Sequence, residues 1–542
     1  MDEGQRRRLR LIIPAFSKFN IYKRAAKMTT ALGPICVATS ANKLSDWDVE
    51  VIDENNCRSK FCPKDKNGKP DHIKLQRQRP ADVVGFYCSL TSTMPRVYEL
   101  AALYKKMGIK TIAGGKHTDS LPEEALANNI DVVIFGDGEK TIQEFLNNRS
   151  LADIKGIAYQ KDGKIIKTED RPLINNLADL PFPDFNLLRY AKIKIYPVSW
   201  WRGCPFNCEF CAVKGEPRCS SAEKLFNLIV YLVETRRAKK FFLVDDHFGG
   251  NLYDETHRQE AIKFCSLIAE YQKKTRKKLK FSVQIRLNAA EYPELLRAMR
   301  EAKIEMVCIG YESPIDEELI AMRKGFLHKD MVAKTRIFRQ HGFFVHGMFI
   351  FGYPHKKEIS KSTKIMPLEK KMRRFQEFIK EAKIDTIQIL MAVPLPGTEL
   401  RQRLIDEGKI FPLEQVGWEY YDGQFPLFEP DDGYDPADLQ LAMKKIMSNF
   451  YGFRHFWKLA VNILFSFPLI IFPATLTLLT FKTRYIVFAF KWWRKRLFRN
   501  QSIKFGGWFV VKGWFKNFKK GDFLKKLSQA KHQLLAKKNR TF

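Results

Sequence analysis

The sequence predicts an α/β protein of consecutive units: an open α/β unit over residues 1–151, a linker over 152–190, and a partial (β/α)6 barrel of the TIM type over 191–405. A mostly helical, basic and apolar C-terminal region completes it, with an extension at 406–455 and a tail at 456–542. Three observations predict this order. Short apolar runs alternate with amphipathic stretches twice along the chain, as parallel sheets covered on both faces require. Three cysteines at C-x3-C-x2-C spacing follow the first strand of the second series. Charge then shifts abruptly near the end of the chain.

In the first unit the strands fall at 9–16, 48–53, 82–88, 110–115 and 131–136, with helices such as 95–107 and 122–128 between them. Arg6, Arg7, Arg8 and Arg10 ahead of Leu11-Ile12-Ile13 imitate a signal peptide, but the apolar run stops at Pro14, short of an h-region. It reads as a first strand. Ligands on such sheets bind at the carboxyl ends of the strands. Those ends carry Ser89, Thr91 and Thr93, then Gly114-Gly115-Lys116-His117, then Gly136-Asp137-Gly138-Glu139. Glycines admit a bulky ligand close to the backbone and hydroxyls offer neutral hydrogen bonds. In the linker, Lys161-Asp162-Gly163 predicts a small hairpin between 156–159 and 165–167. Leu180-Pro181-Phe182-Pro183 then interrupts regular structure.

The barrel strands are predicted at 195–200, 240–245, 281–286, 306–311, 344–351 and 386–391, with chemistry on the loops at their carboxyl ends. Asp245 and Asp246 end the second strand. Gln284 and Arg286 share one face of the third; an arginine turned into a barrel needs an anion. Glu312 and Ser313 end the fourth, with Lys324 one helix later, and Gly352 ends the fifth.

The cysteine stretch, Trp201-Arg202-Gly203-Cys204-Pro205-Phe206-Asn207-Cys208-Glu209-Phe210-Cys211, organises the rest. Thiolates on a tight loop suit an iron–sulfur centre, and three of them leave one iron of a cubane without a protein ligand. A zinc site with Cys219 as fourth ligand is the bland alternative. The wording and spacing resemble the radical S-adenosylmethionine superfamily, and the phrases Gly114-Gly115-Lys116-His117, Pro122-Glu123-Glu124 and Gly136-Asp137-Gly138-Glu139 resemble its class with a preceding Rossmann-like cobalamin-binding domain. The resemblance implies that Cys204, Cys208 and Cys211 hold a [4Fe-4S] cluster. It implies S-adenosylmethionine contacts from Asp245, Asp246, Gln284, Arg286, Glu312, Ser313, Lys324 and Gly352. Cobalamin contacts would come from Ser89, Thr91, Thr93, Gly114, Gly115, His117, Gly136 and Glu139. The Asp-x-His-x-x-Gly signature of a lower-axial histidine is missing, which implies cobalt without a protein histidine beneath it. The implied activity is cleavage of S-adenosylmethionine to a 5′-deoxyadenosyl radical and methylation of an unactivated carbon of a hydrophobic or lipid-like substrate. Radical cyclisation or rearrangement, modification of RNA or protein, and a non-catalytic zinc scaffold are the alternatives. An external flavodoxin- or ferredoxin-type donor would supply the electron.

Composition sets the surroundings. Ten cysteines without a dense framework fit a reducing cytoplasm rather than a disulfide-rich secreted fold. Net charge is +33, and residues 482–542 hold 18 Lys or Arg against the single acid Asp522. Residues 459–481 carry no charge, long enough to span a bilayer but broken by Pro468 and Pro473. Tryptophans 457, 492, 493, 508 and 514 are interleaved with cations around them. This is the composition of a headgroup-level anchor. It predicts a cytoplasmic protein associated peripherally or monotopically with the inner membrane face, with nucleic acid the less favoured partner.

Overall fold

The computed structural model describes residues 6–356, 366–431, 434–452, 457 and 523–538. The first sheet has eight strands: β1 (Arg7–Ile13), β2 (Trp47–Asp53), β3 (Val83–Tyr87), β4 (Lys110–Gly114), β5 (Val132–Ile134), β6 (Ile157–Lys161), β7 (Lys164–Lys167) and β8 (Leu188–Arg189). Their order is β7-β6-β5-β4-β3-β1-β2-β8. The order reverses direction between β1 and β3, which opens a ligand crevice at their carboxyl ends. Strand alternation builds a core on each face: Leu9, Leu11 and Ile13 enter one, while Ile12 joins Val84, Ala113 and Val133 in the other. Arg10, one of the basic residues that imitate a signal peptide, is fully buried. It is held 2.8 Å from Glu50, its partner across β1 and β2. A charge stays inside a core only when so paired.

The segment 152–190 is more than a connection. Its hairpin, β6 and β7, pairs antiparallel to β5, and β8 pairs parallel to β2 at the opposite edge. The parallel core of the sheet is thereby flanked on both sides, and the short strands β7 and β8 become its edges. The Asp-Gly turn announced the hairpin, but a turn does not say which edge its strands will join.

The second sheet is parallel, in the order β16-β15-β14-β13-β12-β9, from β9 (Tyr196–Val198), β12 (Lys240–Leu243), β13 (Lys280–Ile285), β14 (Ile304–Glu312), β15 (Phe344–Phe351) and β16 (Thr386–Met391). All six predicted barrel strands are present. Between β9 and β12 stands a separate antiparallel ribbon, β10 (Trp201–Cys204) with β11 (Gly215–Cys219). Side-chain caps set helix starts: Ser221 accepts from the Lys224 N–H, Asp254 from Thr256 and Thr398 from Arg401.

Downstream, Pro436–Phe450 packs on the helix Leu368–Glu381 and on β16. The helix Phe523–Lys538 buries Phe523, Leu527, Ala530 and Leu534, one stripe at helical spacing, in the same core as Trp418, Tyr420, Phe425 and Val84. Within the predicted tail 456–542, that helix packs one side on the folded body. The apolar run 459–481 and Trp492, Trp493, Trp508 and Trp514 lie outside the described residues. Among the described residues no helix is long and apolar enough to cross a membrane. Cys57 and Cys62 form a disulfide, a pairing the reading of cysteine spacing passed over.

Candidate cofactor site between the two units

The β10–β11 ribbon aims the cysteine loop. Its register sets Trp201 opposite Cys219, Arg202 opposite Arg218 and Cys204 opposite Gly215. Cys204 therefore sits at the loop end, and Cys219 lies three residues back, about 10 Å along the strands. Cys219 is thus removed from the Cys204–Cys208–Cys211 trio, which corrects the zinc alternative. Among the described residues no three His, Cys, Asp or Glu side chains converge as a single metal ion requires. Burial pushes the thiols of Cys204 and Cys211 up, and neighbouring cysteines add to it. Positive charge opposes this: the Arg286 guanidinium lies 3.9 Å from the Cys208 sulfur and 3.5 Å over the Phe206 ring. Lys324 acts on Cys211 in the same sense. Anionic sulfur is what such a surround stabilises.

The strand-end residues divide into two sets. Gln284, Arg286, Glu312 and Lys324 gather around the loop: Lys324 Nζ is 2.8 Å from Glu312, Arg286 donates to the Lys324 carbonyl, and Gln284 donates to the Asp245 carbonyl at 3.3 Å. The others have structural partners. Asp245 turns one oxygen to the Ser199 hydroxyl and to the backbone N–H groups of Trp200 and Trp201, at 2.7–3.0 Å, so it braces the entry to the ribbon. Burial raises its carboxyl to about 7. Asp246 accepts the Gly203 N–H at 3.1 Å and lines the cavity between the units. Ser313 is fully buried and donates to Glu318. Gly352 has φ +73°, and an added Cβ would meet Leu439 Cδ2 at 2.3 Å, so packing of the Pro436–Phe450 helix dictates this glycine.

A cavity of about 560 Å³ lies at the crevice between β1 and β3 and opens against the ribbon. Ser89, Gly114, Gly115, Gly136 and Glu139 line it. Gly115 has φ +137°, and a Cβ there would stand 2.6 Å from the Ser89 nitrogen, so the strand ends close on each other only because this residue is glycine. Thr91, Thr93 and His117 are not on its wall. Thr93 bonds to the Leu90 carbonyl, and His117 is buried with Nδ1 3.3 Å from Thr91 and its ring edge-on to Trp418. Those three dock the downstream segment onto the first unit.

Sequence reasoning missed the residues that join the two units. Arg202 reaches Asp137 at 2.9 Å and Glu139 at 2.5 Å, and Arg218 reaches Asp137 at 2.6 Å. Burial alone would raise Asp137, but Arg218 and Arg202 outweigh it and hold its carboxyl below the usual range. Both carboxylates sit at the start of the helix Gly138–Leu146, whose dipole favours anions. The far side of the loop is tied to the barrel: Glu209 accepts from Tyr353 at 2.5 Å and from Arg403 at 3.0 Å. The cysteine loop is strung between one ion cluster on each unit. The segment 177–183 forms the outer wall of the cavity, and Lys224 donates to its carbonyls. Two arginines in register on facing strands was the one available signal.

Comparison with known families meets this geometry in two consecutive blocks. Residues 25–146 match the B12 binding domain and residues 198–366 match the radical SAM superfamily. The chain belongs to the B12-binding radical S-adenosylmethionine family. Within that family it is 26% identical over 400 residues to an uncharacterized methyltransferase of Pyrococcus horikoshii, covering 70% of this chain and 81% of that protein. It is 28% identical over 302 residues to the hopanoid C-2 methylase of Rhodopseudomonas palustris, covering 51% of this chain and 52% of the methylase. The chain therefore spans four fifths of the first relative and about half of the second. Among solved structures, the cobalamin-dependent S-adenosylmethionine radical enzyme OxsB superposes with a TM-score of 0.62 at 16% identity, over 97% of this chain and 80% of that one. The residues present fit the family's cofactors. Three thiols on one loop, faced by Arg286 and Lys324, suit a [4Fe-4S] cluster. The glycine-cradled cavity at the sheet crevice suits cobalamin, and the Glu312–Lys324 and Arg286 group offers both charges to zwitterionic S-adenosylmethionine.

Proposed function

We propose that this protein is a cobalamin-dependent radical S-adenosylmethionine C-methyltransferase acting on an unactivated carbon of a hydrophobic substrate. The observation that carries the reading is the shared wall: one ribbon presents Cys204 at its end and, through Trp201 and Arg202, closes the cavity at the first sheet beside Asp246, which accepts its Gly203 N–H. When bound, the cluster would supply the electron that cleaves S-adenosylmethionine and the cobalamin a transferable methyl group. The chain's own residues do the positioning. Cys204, Cys208 and Cys211 would hold the cluster. Arg286 and Lys324 present positive charge to the ligand carboxylate, and Glu312 presents negative charge to its ammonium group. Trp200 and Trp201, both fully buried, and Phe206 exclude water from the loop. Ser89, Gly115, Gly136 and Glu139 would border the corrin.

An external flavodoxin- or ferredoxin-type donor supplying the electron, and association of the basic, apolar C-terminal sequence with the cytoplasmic membrane face, complete the proposal; composition supports the latter. The test is anaerobic purification with cobalamin supplied. Iron at about four per chain, a corrinoid spectrum, 5′-deoxyadenosine release and a product heavier by one methyl group are expected. A product without added mass would indicate cyclisation or rearrangement instead, and one zinc without cleavage would overturn the reading.

A further inference from the structure

Three segments at the carboxyl edge of the first sheet meet on one side of the molecule: residues 18–28 after β1, 57–71 after β2 and 190–194 after β8. Their backbones are stitched together. The Arg58 and Ser59 N–H groups bond to the Tyr190 carbonyl at 2.9 Å, the Lys194 N–H bonds to Met28 at 2.8 Å, and the Arg58 side chain bonds to the Lys27 carbonyl at 3.1 Å. Together they hold eleven Lys or Arg and two acids. Both acids are spent locally: Asp65 accepts the N–H groups of Asn67 and Lys69, and Asp71 caps the helix His72–Gln78. The cations are close enough to act on each other. After burial, the charges of Lys69, Lys27 and Lys18 lower the affinity of Lys23 for its proton. Such repulsion calls for an anionic surface to relieve it.

Apolar side chains project from the same side. Phe61, at the tip of the loop closed by Cys57–Cys62, is 75% exposed, and Met28 is 37% exposed. The surface continues onto the C-terminal helix. Phe19 stacks on Tyr420 at 5.1 Å, and Tyr420 packs on Phe523 at 4.9 Å, so residues 18–28 and the helix Phe523–Lys538 share one aromatic cluster. That helix exposes Leu524 and Leu535.

From this side-chain arrangement we infer that this face, built on residues 18–28, 57–71 and 190–194 with the outer side of Phe523–Lys538, docks on an anionic phospholipid bilayer. The inference extends the membrane reading of the C-terminal sequence to a surface of the first unit. Lipid suits the face better than nucleic acid because Met28, Leu524 and Leu535 have no aromatic plane to stack on bases, while they do insert among acyl chains. The face adjoins the cavity: Thr30 and Ala31, two and three residues from Met28, line it. Docking would bring the cavity rim to the headgroups, where a hydrophobic substrate is concentrated.

The test is hydrogen exchange on the full-length protein with and without vesicles of phosphatidylglycerol and phosphatidylcholine, and with phosphatidylcholine alone. Slowed exchange over 18–28 and 57–69 with the anionic vesicles only is expected. The variant Lys60→Glu/Phe61→Ser/Lys64→Glu/Lys66→Glu changes only surface positions. It should bind those vesicles at least about tenfold more weakly, since each lysine near the headgroups contributes roughly a fivefold factor. Unchanged exchange in these segments, or equal binding by the variant, overturns the inference. Protection by single-stranded RNA but not by vesicles overturns it in favour of nucleic acid. Release of 5′-deoxyadenosine in detergent-free solution is measured alongside; its persistence in the variant separates failure of this surface from failure of the enzymatic reading.

Discussion

Removing Arg202 is the perturbation that tests how the two units are held. Arg202→Met leaves Glu139, 5% exposed, without the cation it pairs with at 2.5 Å, while Asp137 keeps Arg218. Stripping one partner from a fully buried pair costs about 3–5 kcal/mol. The Arg202 side chain retains 27% of its exposure, so water and rearrangement recover part of that, leaving roughly 2–3 kcal/mol. A double-mutant cycle with Glu139→Gln isolates the pair, because neutral glutamine needs no cation; a coupling of about 1–3 kcal/mol is expected from urea midpoints at constant m. The same break loosens the cavity wall, so the dissociation constant for hydroxocobalamin, followed by absorbance, should rise by about tenfold or more. Iron content after reconstitution separates this from damage to the neighbouring Cys204. Arg218→Met repeats the test from the facing strand. A coupling below about 0.5 kcal/mol, with corrinoid affinity unchanged, would refute the claim that this ion cluster joins the units.

Other predictions follow from single sites. Alanine at Cys204, Cys208 or Cys211 should abolish cluster absorbance and 5′-deoxyadenosine release, whereas Cys219→Ala should retain both. Asp245 has a folded pKa of about 7, above the ordinary 3.8. Between those values the native state holds a proton the unfolded state has released, so this group makes stability fall as pH rises from about 4 to 7. Asp245→Asn, which keeps an accepting oxygen, should flatten that part of the pH–stability curve; an unchanged slope would count against the assignment. Glu209→Ala leaves Arg403 with Glu407 as its remaining carboxylate and removes the tie to Tyr353, and should lower stability by about 1–3 kcal/mol in urea unfolding. Gly115→Ala forces a Cβ to 2.6 Å from the Ser89 nitrogen and should weaken corrinoid binding tenfold or more while leaving the iron content intact.

Much of this architecture is local in origin, and what is local was legible. Short apolar runs between helical stretches placed β1 to β5 and all six barrel strands, because a parallel strand covered on both faces must bury successive side chains. The cysteine spacing marked the loop because three thiols within eight residues can reach one cluster from a single loop. Tertiary structure decided what depends on distant partners. It gave Asp245 the Trp200 N–H, Ser313 the Glu318 carboxylate and Gly352 the Leu439 side chain as neighbours, and turned His117 to Trp418 rather than to the cavity. It showed that Arg202 and Asp137, 65 positions apart, meet at 2.9 Å. It also showed that a basic stretch near the end of the chain folds back as a helix onto residues 413–425, which pack in turn on the first unit. A side chain's type and spacing state what it can bind; which of its possible partners it meets is settled by packing between segments far apart in the sequence, where burial leaves a charge no stable choice but the opposite charge within reach.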